Sequence, residues 1–373
     1  MEFDPISLAK SLGQEGQKVF SFLEFEVLPN EVVFLVFKYL KIEDLVKCGQ
    51  VSKRFKSLSE DENLWPKKFN LCHKKVPVEF LQKLLDRGCK YLSLSGAVLE
   101  GILNLPKASR LKYLNLSGFL IRKNSEKMLQ SCYSLQKLSL SYFHLSSKLI
   151  SSASLQNGKT LRVLDLSNCI LCICISRNTK NWSCTQTHCA YTISIQQIVE
   201  NCTELRELSL HKTKLCEKSL DILCSNLTTE IEKLDLYDMS FLSDGHVKEL
   251  VTRCNKIMEL DLGGWETSIT VQSLNFIIEH LQRTLVKLDL QNSHIRFHSS
   301  YCLKLKSMEK LTHLCYENNS RWTDESRWSW EQLPIHTGIL TIASPCELDY
   351  YQGFWEIKVE REELFRNIYD NLT

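Results

Sequence analysis

The side chains with the greatest capacity for chemistry gather between positions 169 and 192. Cys169-x-x-Cys172 is followed by Cys174, Cys184, His188 and Cys189, a set of thiols and an imidazole of the kind that holds a tetrahedral zinc ion. A cross-braced zinc module needs a second Cys-x-x-Cys pair after its histidine, and none follows Cys189. The cluster is therefore read as an irregular insertion, and no metal ligand is assigned. A second group is acidic: Asp165, Asp235, Asp261 and Asp289 recur in one context, Leu-Asp-Leu. Such a strip could meet a cationic partner, and could equally just solvate an exposed strand. No Ser/His/Asp nucleophile signature, glycine-rich phosphate loop or paired catalytic carboxylate stands in a recognisable context. The chain is not read as an enzyme, and no cofactor is expected.

The aspartates belong to a repeat. Leu-x-x-Leu-x-Leu, with Ile at times in the first place, runs from Leu111-Leu114-Leu116 through Leu285-Leu288-Leu290, with weaker copies at Cys89-Leu92-Leu94 and Leu311-Leu314-Tyr316. Successive first positions are 22, 24, 26, 44, 26, 26, 28 and 26 residues apart, and all but one step fit the period of leucine-rich repeats. The x-Leu-x-Leu-x part alternates with period two and predicts a short strand. Leu274, Ile277, Ile278 and Leu281 stand at helical spacing between two such strands. A strand and a helix cannot bury both apolar faces alone, whereas stacked copies can. The expected fold is an α/β solenoid, a leucine-rich-repeat horseshoe with a concave parallel sheet and outer helices. The 44-residue step holds about 18 extra residues, the insertion near 170–192.

Of the 16 cysteines, Cys132, Cys202 and Cys254 each precede a motif by three residues, and Cys169 follows Leu166 at the Asn/Cys position. Positions that track the repeat predict core thiols. Lys and Arg (46) nearly balance Asp and Glu (44), which gives no reason to expect nucleic acid or an anionic membrane as partner. The N-terminal stretch with Asp4, Lys10, Gln14 and Glu15 has no signal-peptide core, and no apolar run is long enough to span a bilayer. A soluble, intracellular protein is expected.

Ahead of the repeats, Leu28-Pro29-Asn30-Glu31 reads as a helix start, and Val32, Val33, Val36, Phe37 and Leu40 follow at helical spacing. Ile42-Glu43-Asp44-Leu45-Val46 opens a second helix, Val51-Ser52-Lys53-Arg54-Phe55 a third, and the segment closes on Asn63-Leu64-Trp65. On apolar pattern alone this is a helical cap for the first repeat, which leaves open a protein-binding scaffold with no part in ubiquitin transfer. The full string, over about 40 residues, resembles the F-box. An F-box followed at once by leucine-rich repeats is the architecture of the F-box/leucine-rich-repeat family.

That resemblance implies a substrate-recognition subunit of an SCF-type (Skp-cullin-F-box) ubiquitin ligase. Its partners would be a Skp-type adaptor and through it a cullin, together with a protein substrate and a small kinase-associated cofactor protein. It also implies a place in the nucleus and cytoplasm and a link to the cell cycle. The adaptor contacts carried over by position are Leu28, Pro29, Val32, Val33, Phe37, Leu40, Leu45 and Val46, while Leu64 and Trp65 are expected to pack the module. On the repeats, alternation turns Asp165, Asp235, Asp261 and Asp289 to the concave face, with His211, Tyr237 and Trp265 beside them. These seven are the candidate substrate contacts. The expected organisation is a leader over 1–27, the F-box over 28–69, about ten repeats over 70–345 and a tail over 346–373, whose Tyr350, Tyr351, Phe354 and Trp355 suit either a cap or a fold-back over the sheet.

Overall fold

The computed structural model describes residues 28–65, 67–101, 110–118, 122–142, 147–169, 190–213, 215–265 and 267–291, and fourteen of the positions from 293 to 315. The remaining positions include the cysteines of the insertion after Cys169 and the aromatic tail, so both expectations lie outside the described residues. Two compact units divide between Pro66 and Lys67.

The first unit holds three helices, α1 (Asn30–Phe37), α2 (Ile42–Val51) and α3 (Lys53–Ser59). Pro29 occupies the cap position of α1, where its missing N–H costs nothing, and its carbonyl accepts from Val32 and Val33 N–H. Ser52 caps α3 by accepting from Phe55 N–H at 3.2 Å, a contact worth about 1 kcal/mol in typical helices. Phe55 then meets Phe37 edge to face, with ring centroids 5.5 Å apart. Arg54 reaches back to the start of α1, donating to the Leu28 carbonyl and to Asn30 Oδ1. Trp65 is buried, and its indole N–H donates to the Ser59 carbonyl at 2.7 Å. The residues of the sequence signature thus hold the three helices to one another.

The second unit begins with β1 (Lys68–Asn70), β2 (Lys75–Pro77), β3 (Tyr91–Ser93), β4 (Val98–Glu100), β5 (Tyr113–Asn115) and β6 (Lys137–Ser139). It continues through β7 (Val163–Asp165), β8 (Glu207–Ser209), β9 (Lys233–Asp235), β10 (Glu259–Asp261), β11 (Lys287–Asp289) and β12 (His313–Cys315). Between them run α4 (Val78–Asp86), α5 (Arg122–Gln130), α6 (Ser147–Asn157), α7 (Ala190–Asn201), α8 (Glu217–Asn226), α9 (Asp244–Arg253) and α10 (Val271–Leu281). All strands except β2 and β4 join one parallel sheet of ten in the order of the chain, and β2 and β4 form a separate parallel pair. The middle leucines lie in register, Leu234 against Leu260 and Leu260 against Leu288, and all are buried. Helices α5 to α10 each pack on the next. This is the α/β solenoid.

Three details refine the sequence reading. The sheet starts at Lys68, earlier than expected, because Phe69 and Leu71 are buried in the places of the second and third leucines. The long step adds no strand to the sheet, since β7 pairs directly with β8 in the standing register. The motif cysteines are core: Cys132, Cys169, Cys202 and Cys254 are all buried, and Cys169 Sγ donates to the Leu140 carbonyl at 3.0 Å. Burial pushes the Cys202 thiol up to about 12 and that of Cys254 to about 11, which leaves both protonated and unreactive at neutral pH.

Neighbouring repeats are also tied through their helix starts. Asp244, in the first turn of α9, accepts from Thr270 N–H, Thr270 Oγ1, Ser273 N–H and Ser273 Oγ at the start of α10. Burial alone would raise this carboxyl, but those hydrogen bonds hold it below the usual carboxylate range.

Candidate functional site

Two surfaces carry the candidate residues, one in each unit. In the first unit, α1 is apolar on both sides. Val33 and Phe37 are buried, as is Leu45 of α2. Val32, Leu35 and Val36 lie on the outward face and Tyr39, just past the helix end, continues it at the same spacing, with 39%, 54%, 38% and 78% of their surface exposed. The expected adaptor contacts therefore separate. Pro29 and Val32 are exposed and Leu28, Leu40 and Val46 are half-buried, whereas Val33, Phe37 and Leu45 are interior side chains that cannot present a free surface. Leu35 and Tyr39 were absent from the expected set. The signal for them was the continuous run Val32-Val33-Phe34-Leu35-Val36-Phe37, since a helix apolar all round has an outward face as well as an inward one.

In the second unit, the geometry of a parallel ladder explains the aspartate row. Beyond each strand, the third leucine donates its N–H to the next repeat, as Leu236 does to the Asp261 carbonyl, and so does the residue two further on, as Asp238 does to the Gly263 carbonyl. The N–H between them points away from the neighbouring strand and needs another acceptor. The central-row side chain two residues earlier supplies it. Asp165 accepts from Ser167 N–H, Asp235 from Tyr237, Asp261 from Gly263 and Asp289 from Gln291, at 2.9 to 3.0 Å. Asn115 and Asn70 do the same for Ser117 and Cys72. Asx-type caps of this kind suit Asp and Asn.

This corrects the picture of an open acidic strip. Asp165 and Asp289 are 4% and 1% exposed, and their first task is to satisfy the backbone. Side-chain hydrogen bonds then run across the sheet: Ser139 Oγ donates to Asp165 Oδ2 at 2.7 Å, Ser167 Oγ contacts Ser209 Oγ at 2.7 Å, and Ser209 Oγ donates to Asp235 Oδ2 at 3.0 Å. After β1, β3 and β5 to β10 the chain turns through a residue at positive φ. Most of those positions hold non-glycine residues, among them Asn168 and Asp238. Gly264, at φ 114°, has no room for a side chain, because a Cβ would lie 2.5 Å from the Asp238 backbone.

Asp235, Asp261 and Asp289 stand side by side on three paired strands. Burial, followed by the charges of Asp289 and Asp235, holds the Asp261 carboxyl well above the usual range, against the opposing effects of Gly263 N–H and Lys287. A carboxyl raised on folding favours the native state at low pH and opposes it as pH rises from the unfolded value through the folded one. Asp261→Asn is expected to raise the free energy of unfolding at pH 7 by about 0.5–1 kcal/mol, the scale of like charges on adjacent strands. Its advantage over the unsubstituted chain should shrink as the pH is lowered, and urea titrations across that range check this.

A cavity of about 580 Å³ opens on the same face of the sheet. Asp165, His211, Asp235 and Tyr237 line it, and so do Ser117, Ser141, Tyr142, Lys212 and Gln291. Asp261, Asp289 and Trp265 are not part of its lining, although Trp265 is 51% exposed. The His211 and Tyr237 rings stack at 4.6 Å and 12°, and His211 Nδ1 lies 3.6 Å from Asp235 Oδ1. Lys212 Nζ stands 5.6 Å from the Tyr237 ring centre. His211, Asp235 and Asp261 also bring possible ligand atoms within 4.8 Å of one another. The result is a polar groove with a stacked ring pair and carboxylates beside it.

Residues 25–70 match the F-box-like family model. Among solved structures, the leucine-rich repeat-containing protein LegL7 from Legionella pneumophila is similar over 57% of this chain, at 16% identity and a TM-score of 0.35. The match spans just under two thirds (66%) of that protein's length.

Proposed function

We propose that this chain is the substrate-recognition subunit of an SCF-type ubiquitin ligase. Its F-box-like helices would dock to a Skp-type adaptor, which binds the cullin, and its repeats would hold the protein to be ubiquitinated. The observation that carries this reading is the outward apolar face of α1, Val32, Leu35, Val36 and Tyr39, within a segment matching the F-box-like model. A few apolar anchors of that kind carry most of the affinity in helix-face interfaces. Ubiquitin transfer would belong to the partner subunits, with this chain bringing a substrate lysine near activated ubiquitin.

Within the family, Ile339-Leu340-Thr341-Ile342-Ala343-Ser344-Pro345 and Phe354-Trp355-Glu356-Ile357-Lys358 look like the last repeat and tail of the S-phase kinase-associated F-box protein. That likeness supports a role in cell-cycle control, a nuclear and cytoplasmic location and a small kinase-associated cofactor protein at the substrate site. Affinity capture from cell extract, probed for the Skp-type adaptor and the cullin, tests the reading. Both should be retained by the chain. If a folded chain retains neither, the repeats act as a binding scaffold without a ubiquitin role.

A further inference from the structure

We propose that the cluster of His211, Asp235 and Asp261, at the edge of the cavity that His211 and Asp235 line, takes the guanidinium of an arginine, presented by an extended segment of the protein that the repeats bind. The inference rests on the reading of the repeats as a substrate-binding surface and names the chemistry of that substrate.

Three observations point to this occupant. The first is charge. Asp235 and Asp261 occupy neighbouring strands in register, and Asp289 stands on the next. A cation placed there meets converging carboxylates in partly desolvated surroundings, where such contacts are stronger than at an open surface. Among the described residues lining the cavity, Lys212 carries the ammonium group, and it stands over Tyr237. Burial, together with this crowding, raises the Asp261 carboxyl, and an incoming cation would relieve the crowding.

The second observation is shape. The His211 and Tyr237 rings stack face to face, within 12° of parallel, beside the carboxylates, so a further planar cation can extend the stack there. A planar guanidinium can add to such a stack while its donor fork meets two carboxylates, which a compact ammonium cannot do. The third is the rest of the cavity. Ser95, Gly96, Ser117 and Gly118 line it toward the earlier repeats, so main chain can approach the sheet closely there, while serine hydroxyls offer hydrogen bonds along the way. An extended segment lying across the strands would reach the acidic corner with a single side chain.

The test is an amide-resolved NMR titration of the full chain with three Gly/Ser peptides that differ only in a central Arg, Lys or Gln. The Arg peptide should shift the Tyr237 and Gly263 amides and bind about tenfold more tightly than the Gln peptide, the scale of one charged hydrogen-bonded contact, with Lys between them. Asp235→Asn/Asp261→Asn keeps oxygen acceptors for the Tyr237 and Gly263 N–H groups and should bind all three alike. His211→Ala should keep the preference for a cation but lose the distinction between Arg and Lys. Equal binding of the three peptides by the unsubstituted chain, or no shift at these amides, overturns the proposal. Stoichiometric zinc binding that moves the same amides and excludes the Arg peptide would also overturn it, making the corner a metal site. Adaptor capture by the same preparation separates the two readings: capture without arginine preference removes only this inference. Arginine preference without capture removes the ligase role and leaves a binding groove.

Discussion

A chain carrying Leu35→Glu and Val36→Glu is expected to remain folded and to bind the Skp-type adaptor at least about 100-fold more weakly. Both residues lie on the outward face of α1, 54% and 38% exposed, where substitutions usually change stability by no more than about 0.5 kcal/mol. Two carboxylates placed in an apolar contact would instead have to be desolvated without partners, at several kcal/mol. The control is Val33→Glu, two residues before Leu35 and fully buried, which should unfold the helices and so abolish binding for a different reason. Circular dichroism separates the cases: the double variant keeps its helical signal and the control loses part of it. Full adaptor affinity in the folded double variant would place the docking surface elsewhere.

Trp65→Ala is expected to destabilise the three-helix unit by about 3–5 kcal/mol, the usual cost of emptying a buried tryptophan site. Trp65 is 4% exposed, and its indole N–H satisfies the Ser59 carbonyl, so truncation leaves both a cavity and a buried acceptor without its donor. A loss that large is comparable to the whole stability of many small domains. Adaptor binding should fall with it, and Trp65→Phe, which restores volume but not the hydrogen bond, should recover part of each. Thermal unfolding followed by circular dichroism, alongside adaptor binding, checks this. An alanine variant with unchanged unfolding would mean that Trp65 does not hold the helices together.

The repeat architecture was legible because one spacing, Leu-x-x-Leu-x-Leu, records both the strand period and the step of the solenoid. Leu234, Leu260 and Leu288 lie where that spacing puts them. Leu274, Ile277 and Leu281 are buried on α10, and Ile278 is half-buried at the edge of that face. The first strand escaped notice because Phe69 stands where the pattern expects leucine, although burial asks only for apolar bulk there.

The aspartate row shows why a site is harder to read than a fold. Leu-Asp-Leu does turn its aspartate away from the leucines, but alternation says nothing about which backbone N–H lies within reach. Only the parallel ladder reveals that Tyr237, Gly263 and Gln291 need the acceptors that Asp235, Asp261 and Asp289 supply. For the same reason the stacked pair of His211 and Tyr237 could not be foreseen, since its members are 26 residues apart and meet only through strand register. In the helical unit the motif marked α1 as apolar but not which of its two faces is free, a question that packing against Phe55 decides.

The most direct test of the account is calorimetric titration of the purified full chain with purified Skp-type adaptor. A 1:1 complex at submicromolar affinity, with the negative heat-capacity change of apolar burial, is the expected result. Absence of heat and of co-elution with a folded chain would contradict the adaptor reading and leave the repeats as a binding scaffold.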